Sequence, residues 1–282
     1  MNLFIKTKLA VSCSCASLLF SPLLYAMSDN NTLTDIEARS LLQATNEDSP
    51  RFIELLFVSV NEKFKHDNLE LERAVASQQN RLSSRMNNAA SALPYQVDHD
   101  MKRDVCVITF DKSKAMDARK LDVTLRHELG HCYQNYLIDS KKGYGKLVGI
   151  DAPTLLSPKS GSYRSLWNRY NQEAFAELTT ATLEYKKNRN FDWLESRLES
   201  YEFKYNLPEY SFAEPLLNNY KEYITSKITV SPTYFDNTST FEAIDDVYKE
   251  YFLRNALSKA AFDRQCLDRK AEMQGKASVK CD

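Results

Sequence analysis

His127-Glu128-Leu129-Gly130-His131 is the stretch of this chain whose residue types and spacing can do chemistry. Two histidines four residues apart fall on one face of an α-helix, one turn from each other, where both imidazoles can grip one metal ion. Glu128 lies between them, within reach of a water at the metal's open position. A carboxylate there suits general-base work. Gly130 is the first glycine in the chain. Glycine costs about 1 kcal/mol inside a helix, so its place beside the second histidine implies a close approach by another part of the protein.

A helix must carry this stretch. Leu125, Leu129, Cys132 and Tyr136 form one apolar stripe at 100° per residue, with His127 and His131 roughly opposite. One face can enter a core while the other faces a cleft. A second helix is expected over residues 165–186, with Trp167, Ala174, Leu178, Ala181 and Tyr185 turned inward. Glu173 and Glu177 sit one turn apart on another face of it. Their neighbours Tyr170, Ala174, Phe175 and Ala176 are apolar, an unusual setting for solvated acids.

The composition sets the frame. With 43% hydrophobic and 27% charged residues, the chain of 282 residues reads as an ordinary globular protein. A net charge of −1 gives no reason to expect nucleic acid or an anionic membrane as partner. Only six glycines argue against a hairpin-rich fold, so the expected class is α+β, predominantly helical. Residues 1–26 read as an export signal: Lys6 and Lys8, then an apolar stretch over 9–24, then Ala26 at the cleavage point. No other stretch is apolar enough to span a bilayer, so no stable membrane insertion is expected after its removal. Four cysteines remain (Cys106, Cys132, Cys266 and Cys281), and an even number in an exported protein suggests disulfides. Their types and spacing allow three connectivities. Cys106–Cys132 with Cys266–Cys281 is the favoured set, because Cys106 shares a strand face with Ile108 and Phe110 while Cys132 lies on the buried helix face.

The remaining elements follow in order. Thr34-Asp35-Ile36-Glu37 is a capping box that starts a helix with Ile36, Leu41 and Leu42 inward. Ser49-Pro50 signals another helix, carrying Phe52, Leu55, Leu56, Val60 and Phe64. A polar, solvated helix is expected from Leu69 to about Ala92, ended by Leu93-Pro94. Residues 95–98 and 105–110 are the strand candidates and can pair as a loose hairpin. Residues 139–163 read as a loop bordering the cleft. Helices resume over residues 191–194, 214–228 and 240–257. His66 and His99 lie in charged surroundings and read as solvated.

Taken together, the two motifs resemble the zincin metallopeptidases, and among them the gluzincins. His127-Glu128-Leu129-Gly130-His131 is similar to the first motif of that group, and Asn171-Gln172-Glu173-Ala174-Phe175-Ala176-Glu177 to its second. Metzincins fit less well, because Gln134 and Leu137 stand where they have Gly and His. Aspzincins also fit less well, with Asp139 and Asp151 lacking the right setting. The resemblance implies a zincin-like core over residues 95–190 with a small sheet beside the metal-binding helix. A helical region (27–94) would precede this core and another (191–282) follow it, unless 27–282 is one domain. It implies one zinc ion held by His127, His131 and Glu173, with Glu128 as base and Glu177 orienting a zinc-bound histidine. It implies a hydrolase acting on a peptide or protein substrate, which the export signal would place in the periplasm or outside the cell; the strand over 105–110 would offer an edge to an extended peptide. Two alternatives stay open: a catalytically silent zinc-containing scaffold that binds protein partners, and a zinc amidase for a non-protein substrate.

Overall fold

In a computed structural model of the protein, residues 53–84, 89–96, 104–114, 118–138, 166–201 and 208–272 are described. The expected export signal, the capping-box helix at Thr34, the loop over 139–163, His99, Asp139, Asp151 and Cys281 lie outside them.

The first described element is strand β1 (Ile53–Ser59). This corrects the helix expected from Ser49-Pro50. The run Leu55-Leu56-Phe57-Val58 is apolar at every position because both faces are covered. Leu55 and Phe57 pack into the main core, and Leu56 and Val58 into a second cluster on the other side. A doubly covered strand has no period-2 signal, so it cannot be told from a buried helix by pattern.

Helix α1 (Leu69–Ser84) follows. Asn68 caps it, its Oδ1 accepting from the amides of Glu70 and Leu71 at 2.9 and 3.0 Å. Leu71 and Val75 are buried with Val58, Val105 and Val107 of the sheet, and Leu82 is buried as well, so α1 is a covering helix and not the solvated one expected. It also ends earlier than expected. Residues Ala90–Gln96 form β2, which starts five residues before the strand expected at 95 and runs antiparallel to β3 (Asp104–Phe110), the pairing expected of the hairpin.

The sheet order is β1-β3-β2, with β1 parallel to β3. The strand over 105–110 is therefore central, paired on both sides, and cannot offer the edge expected of it; β2 holds that place. The amide of Ala92 donates to Glu128 Oε2 and so points outward from the sheet. Pro94, two residues on, faces the same way, where its missing N–H removes nothing from the ladder.

Below the other face of the sheet run α2 (Ala118–Ile138) and α3 (Leu166–Asn188). Leu125, Leu129 and Cys132 are buried as the stripe requires, and the side chain of Tyr136 lies outside the described residues. The α3 stripe of Trp167, Ala174, Leu178, Ala181 and Tyr185 is buried, as are Tyr170, Phe175 and Ala176. A helix apolar on so many sides belongs in the middle of a protein. The described elements that follow share its core: α4 (Asp192–Tyr201), α5 (Pro208–Asn218), α6 (Tyr220–Val230), α7 (Tyr234–Asn237), α8 (Thr240–Asp246), a π-helical turn (Val247–Phe252), α9 (Leu253–Asn255) and α10 (Lys259–Glu272). The segment expected as one helix over 214–228 is two, broken at Asn219. Phe175 packs edge-to-face on Tyr248 and Phe252 of the π turn, both at 5.4 Å. The class is α+β and mostly helical. Among the described residues no helix is long and apolar enough to cross a membrane.

Candidate metal centre

Helix α2 presents His127 and His131 on one face, their rings edge-to-face at 4.9 Å. Helix α3 brings Glu173 to them. Its Oε2 lies 3.1 Å from His127 Nε2 and 3.9 Å from His131 Nε2. One donor atom from each of the three residues lies within 4.8 Å of the others, and all three residues are partly buried. Ligand atoms about 2.0–2.2 Å from a tetrahedral ion stand at roughly such separations. Two imidazoles and one carboxylate thus fit a single divalent ion with a fourth position left open. This donor set accepts several first-row ions.

The helices can meet this closely because Gly130 has no side chain. Arg126, one residue before His127, is buried and fastens the same two helices. Its guanidinium forks onto Asp122 at 3.1 and 2.8 Å and reaches Glu184 of α3 at 3.0 Å.

Glu128 is not in the ligand group. Its Oε2 accepts the Ala92 amide of β2 at 2.6 Å, which pins the carboxylate beside the sheet edge. Glu177, one turn beyond Glu173, is almost completely buried, and its Oε1 lies 3.5 Å from His127 Nδ1. His127 therefore faces carboxylates on both sides, Glu173 at Nε2 and Glu177 at Nδ1. A ring held this way turns Nε2 towards the ligand group.

Two residues that the sequence did not single out complete the arrangement. Arg197 of α4 donates to both oxygens of Glu177, Nη2 to Oε1 at 2.6 Å and Nε to Oε2 at 3.0 Å. Tyr210 of α5 donates its hydroxyl to Glu173 Oε2 at 2.7 Å. The guanidinium also lies over the Tyr210 ring, 5.4 Å from its centroid. Nothing local distinguishes either residue. Arg197 looks like any charge on a helix, and Tyr210 is one of 16 tyrosines.

The crowding of acids and imidazoles shifts their proton affinities. Burial opposes a charge on His127, but the hydrogen bond to Glu173 and the charges of Glu173, Glu177 and Glu128 outweigh it and push the ring up to about 9. Burial likewise opposes the Glu173 carboxylate. The His127 hydrogen bond, the two histidine charges and the Tyr210 hydroxyl outweigh it and bring the group down to about 2. His131 is lowered, by burial and then by His127 against the pull of the acids. Tyr210 is raised by burial and by the charges of Glu173 and Glu177, so it stays a hydrogen-bond donor.

Cys106 of β3 and Cys132 of α2 form a disulfide across 26 residues, as expected, tying the central strand to the residue after His131. Cys266 is buried and disulfide-bonded, and its expected partner, Cys281, lies outside the described residues. His66 stays away from the group, its Nδ1 accepting from the Asn68 amide at the start of α1. In comparisons with protein-family models, curated proteins and solved structures, none matches this chain.

Proposed function

We propose that the chain is an exported zinc metallopeptidase, using a water activated by Glu128 to cleave peptide bonds. The observation that carries this reading is the convergence of His127, His131 and Glu173 from two helices onto one point, with Glu128 beside them and outside the ligand group. The three ligands would hold the ion. When bound, it supplies a Lewis acid and lowers the pKa of water towards neutrality.

The chain's own residues do the rest. Ala92 fixes Glu128 through Oε2 and leaves Oε1 to take the proton of the attacking water. As the new C–O bond forms and the C–N bond breaks, Glu128 delivers that proton to the leaving amine. Glu177 steadies His127, and Tyr210 holds Glu173. The outer edge of β2 runs beside Glu128, where an extended peptide would bring its carbonyl close to the base. The Cys106–Cys132 disulfide favours an oxidising compartment, periplasmic or extracellular.

The test is incubation of the mature protein with a mixed peptide library, with zinc and with a chelator. New termini that vanish on chelation and return with zinc support the reading. A zinc-loaded protein that leaves the library intact sinks it.

A further inference from the structure

We infer that Arg197 is the residue that positions the metal centre: it holds Glu177 in the one orientation that lets its Oε1 reach His127. This deepens the metallopeptidase reading and rests on it for the role of His127 as a ligand.

Glu177 is a carboxylate with almost no access to water and with another acid, Glu173, one turn away. A carboxyl group on a two-bond stem can rotate about its last bond, so burial alone does not decide where its oxygens point. Arg197 decides it. The planar guanidinium meets both oxygens at once, at 2.6 and 3.0 Å, and a fork of this kind fixes the plane of the carboxylate as well as its place. Oε1 is then shared between Arg197 Nη2 at 2.6 Å and His127 Nδ1 at 3.5 Å. The Arg197 side chain is partly exposed whereas that of Glu177 is not. The arginine therefore closes the site from the α4 side. Its guanidinium also lies over Tyr210, whose hydroxyl holds the ligand Glu173. One cation from outside the two site-bearing helices thus holds Glu177 and lies against the tyrosine that holds Glu173. A lysine could supply the charge but not the fork.

The alternative is that Arg197 merely fastens α4 to α3. The two roles separate in a double-mutant cycle. Arg197→Gln, Glu177→Ala and the double variant are compared with the wild type for zinc affinity, by competition with a chromophoric chelator. They are also compared for the His127 Nδ1–H proton, by NMR of the metal-free protein. Each single change should weaken zinc by roughly ten- to a hundredfold, the usual effect of losing the partner of a ligating histidine. The double variant should be little weaker than Glu177→Ala alone, because Arg197 acts chiefly through Glu177. The Nδ1–H signal, protected in the wild type, should be lost in both single variants. Should Arg197→Gln fail to fold, Arg197→Lys replaces it, with the same direction expected. Wild-type zinc affinity in the arginine variant, effects that multiply in the double variant, or an Nδ1–H signal that survives loss of the arginine each overturns the inference. A wild type that takes up no zinc would overturn the metallopeptidase reading instead, and the NMR signal would still decide the relay.

Discussion

Gly130 on α2 and Ala176 on α3 meet backbone to backbone: a Cβ built on Gly130 would lie 2.7 Å from the Ala176 Cα. It would also stand 3.1 Å from the Thr179 Cβ. This is the point that sets the spacing of the two helices, and it falls between the histidines on one side and Glu173 and Glu177 on the other. A hydrogen atom in place of a methyl group at this position lets α3 bring Glu173 up to the histidines.

Gly130→Ala should therefore destabilise the protein although alanine is the better helix former. The helix gains about 1 kcal/mol from the substitution. Forcing two backbones apart in a packed core costs about 1–3 kcal/mol. The expected net loss is roughly 1 kcal/mol, with zinc affinity falling as well because Glu173 is carried away from His131. Urea denaturation and metal content measured on the same variant check both. An alanine variant more stable than the wild type would refute the close-contact account.

The two kinds of carboxylate in the site should separate by mutation. Glu128→Gln keeps the shape and the Ala92 hydrogen bond but removes the base, so zinc should stay while hydrolysis falls about 10²- to 10⁴-fold. Glu173→Ala should lose both. Glu177→Ala should weaken zinc by about ten- to a hundredfold. Metal analysis and peptide cleavage on the three variants decide it; full zinc in Glu173→Ala would remove this residue from the ligand set.

The metal-free protein should lose stability in alkali. His127 is raised from 6.5 to about 9 in the folded state, so its contribution is complete below about pH 6.5 and disappears as pH rises through 9. Glu173 is lowered from 4.5 to about 2, so its contribution is complete above about pH 4.5 and disappears as pH falls through 2. Denaturation midpoints in the presence of a chelator, taken between pH 6 and 10, should decline. In His127→Gln the decline over that window should largely disappear.

Removing the Cys106–Cys132 bridge should cost about 3–4 kcal/mol, the chain-entropy estimate for a loop closed over 26 residues. Both sulfurs sit in the core, so Cys106→Ala with Cys132→Ala leaves small cavities and no unpaired polar group. Zinc affinity should fall with it, because the bridge anchors the residue next to His131. Thermal unfolding of the double variant with and without zinc tests both effects.

The sequence by itself determined what depends on one turn of helix or on the residues nearest in the chain. His127, Glu128 and His131 are readable as a unit because a period of 3.6 residues places them, whatever surrounds them. The buried stripes of α2 and α3 are readable for the same reason, and Gly130 marks a close contact without naming its partner. Strand β1 was not readable, because a strand covered on both faces loses its alternation. The edge beside the site was misassigned for a related reason: β3 looks like a strand from its β-branched residues, but only pairing partners decide which strand is central. Glu173 reaches His127 across 46 residues, and their meeting depends on how tightly α2 and α3 pack. Arg197 and Tyr210 arrive from helices further along the chain and have no local signature. Their roles come from the side chains they meet, and those meetings are made by the packing of α4 and α5 on α3, which no spacing along the chain encodes.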